Sequence, residues 1–317
     1  MELSIVIPAY NEAESLPELI QWIRRVTDPL NLPYEIWVVD DGSSDETWEV
    51  LQTLKAAHAP YLRAVRFAQN YGKSAALYTG FQKAKGRVII TLDADLQDSP
   101  DEIPALYRMV TEEGYDLVSG WKKHRRDPPS KTIPSRIFNF VVRLFTGIPL
   151  HDFNSGIKAY RSLVAKSLDL YGEMHRYIPY LAKASGFGRI GEKVVAHYPR
   201  KYGRTKFGWE RFLYGFLDLL TVSFLVRFGR RPMHFFGGMG VLAFVVGLII
   251  VVWLIADKLY QLRVYGAVRR EVVQQPLFYL GLVAVVVGVQ LFLAGFLGEL
   301  LLRQSPQRHN YLILEEL

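Results

Sequence analysis

The 317-residue chain contains no cysteine, which excludes disulfides and thiolate metal sites alike. Its seven histidines form no H-E-x-x-H or comparable zinc spacing. Internal repeats and low-complexity segments are absent, and no signal peptide is read ahead of Leu3-Ser4-Ile5-Val6-Ile7, which already has the pattern of a strand. Charge is missing altogether from two stretches, Met233 to Ala256 and Pro276 to Gly298, neither of which holds an Asp, Glu, Lys or Arg. At about 1.5 Å per residue each is long enough to cross a hydrocarbon core of about 30 Å. One such run alone fits a buried core helix; two at the end of an otherwise finished domain predict a transmembrane hairpin.

The charge that is present sums to +7, a value that raises the question of nucleic acid. Its distribution answers against it. Lys201, Arg204, Lys206, Arg211, Arg227, Arg230 and Arg231 crowd the approach to the first apolar run, the juxtamembrane position expected to meet anionic headgroups. Between Trp209 and Phe228 the only charges are Glu210, Arg211, Asp218 and Arg227, which predicts an interfacial amphipathic helix. The expected partner surface is a membrane, not DNA or RNA.

The first half alternates strand and helix, the pattern of a mostly parallel sheet covered on both faces. Strands are read at Leu3 to Ala9, Tyr34 to Val39, Leu62 to Phe67 and Gly86 to Ile90. Helices follow at Ser15 to Arg25, with Leu16, Leu19, Ile20 and Ile23 at helical spacing, then beyond an Asp45 or Ser44 cap, and from Lys73 to Ala84. Later come a helix from Pro104 to Glu113, a strand from Asp116 to Trp121, a basic mobile loop from Lys122 to Lys131 and a helix from Ser135 to Phe145. A loop from Leu150 to Gly156 leads into a strand from Ile157 to Tyr160. Tyr311 to Leu314 reads as a short strand or helix docked on a neighbour.

The chain is organised around Thr91-Leu92-Asp93-Ala94-Asp95-Leu96-Gln97, where two carboxylates follow a buried strand. Strand ends in open α/β sheets are where ligands bind. An extended chain turns residues i and i+2 to the same side, so that Asp95 and the Gln97 amide oxygen face one cation. Hard oxygen donors in that number suit Mg²⁺ or Mn²⁺. An isolated D-x-D is more often a turn with a solvated or capping Asp; the preceding strand and the other motifs favour the metal.

Ile5-Val6-Ile7-Pro8-Ala9-Tyr10-Asn11-Glu12, Val38-Val39-Asp40-Asp41-Gly42-Ser43-Ser44-Asp45 and Leu92-Asp93-Ala94-Asp95-Leu96-Gln97 occur in that order at the ends of successive strands. Together they resemble the GT-A fold (Rossmann-like, α/β) of family 2 glycosyltransferases, and the trailing hairpin resembles the polyprenyl-phosphate subgroup. The resemblance spans almost the whole chain. It implies a catalytic domain over 1–208, a juxtamembrane amphipathic helix over 209–232, spans over 233–256 and 276–302, an extracytoplasmic loop over 257–275 and a cytoplasmic tail over 303–317. It further implies inverting transfer of one hexose, with UDP-glucose the favoured donor and mannose, aminoarabinose or N-acetylhexosamine nucleotides the alternatives. The acceptor is polyprenyl (undecaprenyl) phosphate at the cytoplasmic face of the inner (plasma) membrane, and a homo-oligomer, guessed as a tetramer, is expected. Lys258, Arg263, Arg269 and Arg270 in the loop blur the positive-inside signal, so orientation rests on the cytosolic origin of the donor. The Q-x-x-R-W motif of processive synthases is absent, which argues against polymer synthesis.

Site roles carry over residue by residue. Pro8, Tyr10 and Glu12 border the nucleobase and ribose, Glu12 doubling as a cap. Asp40 and Asp41 bind base and ribose as acceptor-only groups, unless either is a turn or cap residue. Asp95 and Gln97 resemble the metal ligands, and Asp93 either joins them or holds the sugar. Arg200, Arg204 and Lys206, in Arg200-Lys201-Tyr202-Gly203-Arg204-Thr205-Lys206, resemble the cations that close over the diphosphate. Arg136 resembles an acceptor-phosphate ligand, assisted by Lys122, Lys123, Arg125 and Arg126. Asp152 resembles the catalytic carboxylate, as base or as positioning group.

Overall fold

Short β-branched runs make the centre of the sheet, and parallel pairing sends their C-terminal ends to one edge. In the computed structural model, which describes residues 1–123, 129–202, 218–219, 221–224, 226–228, 231–267, 270–304 and 313–316, β1 (Leu3–Ala9) lies between β2 (Tyr34–Asp40) and β4 (Val88–Thr91). β3 (Leu62–Phe67) lies outside β2, all four parallel. Leu3, Ile5, Val6, Ile7, Ile36, Val38 and Val39 are fully buried, as expected for strands covered on both faces. The connections are α1 (Leu16–Thr27), α2 (Thr47–His58) and α3 (Lys73–Lys83). α1 buries the predicted stripe of Leu16, Leu19, Ile20 and Ile23 and carries Pro17 in its first turn, where a missing N–H breaks no helical bond.

The chain continues through α4 (Ile103–Thr111), β5 (Leu117–Trp121), α5 (Pro129–Thr146), β6 (Lys158–Arg161), α6 (Ser162–Ser167), α7 (Ile178–Ala184) and β7 (Ile190–Val194), and β8 (Ile313–Glu316) closes it. The sheet order is β7-β5-β6-β4-β1-β2-β3-β8. β6 is antiparallel to both β4 and β5, pairing Thr91 with Lys158 and Ser119 with Lys158. A strand running backwards starts where its neighbours end, so the loop that precedes β6 is delivered to the C-terminal edge of β4. β7, parallel to β5, brings residues 195–200 to that same edge.

The expected basic loop is shorter than the sequence implies: residues 124–128 lie outside the described residues, and α5 already begins at Pro129. Pro is favoured in a first helical turn, so its presence there does not mark a loop. β8 pairs antiparallel with β3 of the same chain. Trp48 Nε1 donates to Glu315 Oε2 (3.0 Å) and Lys83 Nζ to Glu316 (2.7 Å), which covers a sheet edge that would otherwise offer unpaired N–H and C=O groups.

A second compact unit spans residues 224–308. It holds α8 (Pro232–Tyr265), of 34 residues, whose most apolar 18-residue stretch has mean hydropathy 2.9, and α9 (Pro276–Gln304), whose most apolar 18-residue stretch, within residues 276–298, has mean hydropathy 2.5. Both are long and apolar enough to cross a membrane. α8 runs on through the first part of the predicted loop, where Lys258 meets Glu271 (2.7 Å). The two helices approach through glycines: a Cβ on Gly240 would lie 2.6 Å from the carbonyl oxygen of Gly288, and one on Gly247 2.4 Å from that of Gly281. Of the predicted amphipathic helix, residues 209–217 lie outside the described residues, while 218–219, 221–224 and 226–228 are helical.

Candidate active site

Where β1 and β2 end, two neighbouring carboxylates are built into turns. Asp40 is fully buried, its Oδ1 accepts the Ser43 N–H (2.9 Å), and Arg66 Nε stands 3.6 Å from Oδ2. Burial nevertheless raises its pKa. Asp41 accepts the N–H groups of Tyr71 (2.7 Å) and Gly72 (2.9 Å), and burial pushes its pKa up to about 6. Asp41 therefore ties the end of β2 to the start of α3, the turn role that the sequence left open. Glu12 accepts the Ser15 hydroxyl (2.8 Å), but no side-chain bond caps α1, while Tyr10 stands at the rim and Pro8 is half-buried in β1.

The aspartate pair departs from the geometry expected of it. β4 stops at Thr91 and residues 94–95 form a turn, followed by Leu96 at φ +59°, a conformation that a branched side chain seldom adopts. The two carboxylates are each paired with a cation of their own. Asp93 Oδ1 lies 2.5 Å from Lys73 Nζ, and Asp95 Oδ2 lies 2.7 Å from Arg200. Gln97 stays with Asp95: its backbone N–H donates to Asp95 Oδ1 (3.2 Å). Burial would raise both pKa values. For Asp93 the charges of Lys73, Lys122 and Lys158 more than offset it and hold the group low; for Asp95 burial and the neighbouring Asp93 win over Arg200 and push it up.

The loop before β6 closes over this pair. A Cβ on Gly156 would stand 2.4 Å from the Asp93 carboxylate and 2.7 Å from Asp98 Oδ2, so only glycine admits the approach. Asp152 is buried; its carbonyl accepts the Ser119 hydroxyl (3.1 Å) and its Oδ1 accepts the Asn154 N–H (3.1 Å). Phe153 N–H donates to Asn139 of α5 (3.2 Å) and Arg143 donates to the Leu150 carbonyl (3.1 Å). Arg136, one turn before Asn139, shares that face of α5 and is exposed. His151 pairs with Glu192 and stacks on Trp121 at 4.0 Å.

Three residues that sequence reasoning did not assign to the site, Asp98, Lys158 and Lys73, complete it together with Lys122. Asp98 is 1% exposed and pairs with Lys122 (2.7 Å), whose pKa rises because the charges of Asp98 and Asp93 outweigh its burial. Lys158, 3% exposed, donates to the Ser155 carbonyl; burial and the like charge of Lys73 lower its pKa to about 8. Lys73 holds Asp93. The one signal in the sequence was a lysine inside the buried run Ile157-Lys158-Ala159-Tyr160, since lysine is rarely buried without a partner. Arg204 and Lys206 lie outside the described residues.

Among the described residues no three His, Cys, Asp or Glu side chains converge as a metal cage. Asp95 with the Gln97 amide is the donor set available. It fits Mg²⁺ or Mn²⁺, which are held by one or two carboxylates, waters and substrate phosphates.

The profile of the family described as "Glycosyl transferase family 2" matches residues 4–168. A dodecaprenyl-phosphate galacturonate synthase from Rhizobium johnstonii is 34% identical over 318 residues, covering 99% of this chain and 92% of that protein. The chain belongs to glycosyltransferase family 2. An undecaprenyl-phosphate 4-deoxy-4-formamido-L-arabinose transferase from Shewanella sediminis is 35% identical over 298 residues, covering 94% and 86% of the two chains. Among solved structures, glucosyl-3-phosphoglycerate synthase from Mycobacterium tuberculosis, in complex with Mn²⁺ and UDP-glucose, superposes with a TM-score of 0.53 at 23% identity over 72% of this chain and 79% of that one. That likeness establishes the GT-A fold for this family 2 enzyme.

Proposed function

We propose that this family 2 enzyme transfers one sugar from a nucleoside diphosphate donor to the phosphate of a polyprenyl lipid, at the cytoplasmic face of the membrane that α8 and α9 span. The observation that carries this reading is the identity with the galacturonate synthase, which runs through 99% of the chain, hairpin included. Glucose, the sugar expected first, is the sugar of neither lipid-acting relative described above. These relatives support a galacturonate or a 4-deoxy-4-formamido-L-arabinose nucleotide as the donor.

In an inverting transfer a phosphate oxygen of the acceptor attacks C1 of the sugar. The C1–O bond to the diphosphate breaks on the opposite face, its electron pair leaving with the nucleoside diphosphate. The acceptor oxygen is already ionised near neutral pH, so no strong base is required, and Asp152 serves to position the acceptor. Arg200 neutralises charge on the departing diphosphate, and Asp93, held ionised by Lys73, accepts from sugar hydroxyls. A divalent ion on Asp95 and Gln97, when bound, supplies further charge neutralisation at the diphosphate.

Asp152→Asn tests the arrangement. It is expected to lower kcat about 100-fold or more while donor affinity, measured without acceptor, stays within about twofold. Weakened donor binding with kcat preserved counts against the assignment.

A further inference from the structure

The uncharged runs Met233 to Ala256 and Pro276 to Gly298 contain one amide side chain between them, Gln290 of α9. Their other hydrogen-bonding side chains, His234, Trp253 and Tyr279, lie close to the ends of the runs, where amphipathic rings meet the headgroups. Gln290 is instead about 12 Å of helix from the nearer end of its run, farther than a glutamine side chain reaches. It is exposed, and its side chain makes no hydrogen bond among the described residues. Lipid tails offer neither donor nor acceptor, so an amide at this depth is costly until another polar group meets it. The hairpin itself does not supply that group. Gly281, Gly288 and Gly295, seven residues apart, form the face of α9 that meets α8: a Cβ on Gly288 would lie 2.6 Å from the Gly240 carbonyl oxygen, and one on Gly295 3.0 Å from Phe236 Cβ. At about 100° per residue Gln290 stands about 200° round the helix from Gly288, on the opposite side. There it belongs to an exposed row, Val283, Val287, Gln290, Ala294 and Leu297, spaced alternately by four and three residues. That is the spacing of a coiled-coil seam, in which one polar residue fixes the register and small or β-branched neighbours let a second helix approach.

We propose that this face of α9 is an interaction surface for a second copy of the chain, packed against the same face of that copy with the two Gln290 amides hydrogen-bonded to each other. An amide carries both donors and an acceptor, so it is its own complement. Copies inserted in one orientation and related by a two-fold axis along the membrane normal run their α9 helices parallel, which brings each residue of the row opposite its equivalent. A second copy therefore carries a matching amide at the same depth by construction, and α8 offers none. The two faces of α9 divide the work: the glycine seam closes the hairpin within one chain, and the Gln290 row joins chains. The inference requires that α8 and α9 span the membrane and is independent of the sugar transferred and of the acceptor.

The absence of native cysteine makes the test direct, because each introduced cysteine is the only one in its chain. Full-length single-cysteine variants are oxidised in native membranes and read as disulfide-linked dimers. Val287→Cys and Ala294→Cys, on the row, are expected to cross-link several-fold more than Val289→Cys and Phe296→Cys, which are exposed but stand about 100° or more round the helix from Gln290. Energy transfer between two labelled populations of the full chain, diluted into lipid vesicles, measures association. Gln290→Leu, which keeps the apolar packing and removes the amide, is expected to weaken association about fivefold or more, and Gln290→Asn to recover part of it. Unchanged helical ellipticity and donor binding establish that the Leu variant is folded. Equal cross-linking on and off the row, or undiminished association of folded Gln290→Leu, overturns the proposal. So does a wild type that stays monomeric in vesicles, which would assign the amide to a different membrane protein. No substrate is present in either experiment, so the outcomes separate cleanly. Sugar transfer by a monomer keeps the proposed function and removes the seam; a cross-linked row in a chain that transfers no sugar does the reverse.

Discussion

Lys73 Nζ lies 2.5 Å from Asp93 Oδ1, joining the first turn of α3 to the end of β4. Because Asp41 accepts the N–H groups of Tyr71 and Gly72, the turn that presents Lys73 is anchored at the end of β2. Asp41 and Asp93 are thereby linked through three consecutive residues, 71 to 73.

Lys73→Met removes the charge that offsets the burial of Asp93. Transfer is expected to lose about 10- to 100-fold in kcat/KM, in line with the loss of one charge-assisted hydrogen bond. Lys73→Arg is expected to recover part of it. A double-mutant cycle with Asp93→Asn checks the pairing: the two losses should be strongly non-additive, and additive losses would dissolve the pair.

Asp41 has its pKa raised to about 6 from an ordinary value of 3.8, chiefly by burial. Between those two pH values the folded chain holds a proton that the unfolded chain has released. The contribution of this group to stability is therefore full below the unfolded value and is lost as pH rises through about 6. Unfolding free energies measured from pH 4 to 7 should show a downward slope in wild type relative to Asp41→Asn. Parallel curves would mean that Asp41 is not perturbed by its surroundings.

Glu315 of β8 accepts from Trp48 Nε1 at 3.0 Å. Glu315→Ala is expected to cost about 1 kcal/mol by denaturant titration, the usual net scale of one intramolecular hydrogen bond. Trp48 is buried, so its fluorescence reports the same change. A variant with unchanged stability and emission would detach β8 from its assigned place on β3.

Gly288→Leu places a side chain where a Cβ already meets the Gly240 carbonyl at 2.6 Å. Separation of α8 and α9 is expected, with a loss of about 1–3 kcal/mol for overpacking a close interface. Helical ellipticity followed on heating in detergent checks it through a lower Tm; an unchanged Tm would mean that the helices do not meet at these glycines.

The sequence was informative wherever a local pattern carried the structure. Leu3–Ala9 and Leu62–Phe67 have the ends read from their apolar runs, and the three motifs sit at the ends of β1, β2 and β4 as expected. The apolar stripe of α1 and the two uncharged runs within α8 and α9 were equally plain. What was hidden depends on distance and direction. Nothing in the spacing of Ile157 to Tyr160 says that β6 runs backwards, yet that reversal brings Ser155 and Lys158 to Asp93. Lys73 is 20 residues from Asp93 and Arg200 is 105 from Asp95, separations at which pairing leaves no periodic trace. The separate partners of Asp93 and Asp95 go with a turn at residues 94–95, soon after β4, where an extended chain was the natural expectation. β7, with Gly191, Glu192 and Lys193 in a half-exposed strand, offers no apolar alternation to read.

The central claim is sugar transfer to a lipid phosphate, and one assay addresses it directly. Purified full-length enzyme is given polyprenyl phosphate and, in parallel, radiolabelled UDP-galacturonate, the UDP-linked 4-formamidoarabinose and UDP-glucose, each with Mg²⁺, Mn²⁺ or a chelator. Metal-dependent label is expected in the lipid phase from the uronate or the formamidoarabinose donor, lost in Asp95→Ala. Lipid label that resists chelation, or none from any donor although nucleotide sugar is bound, would contradict that claim.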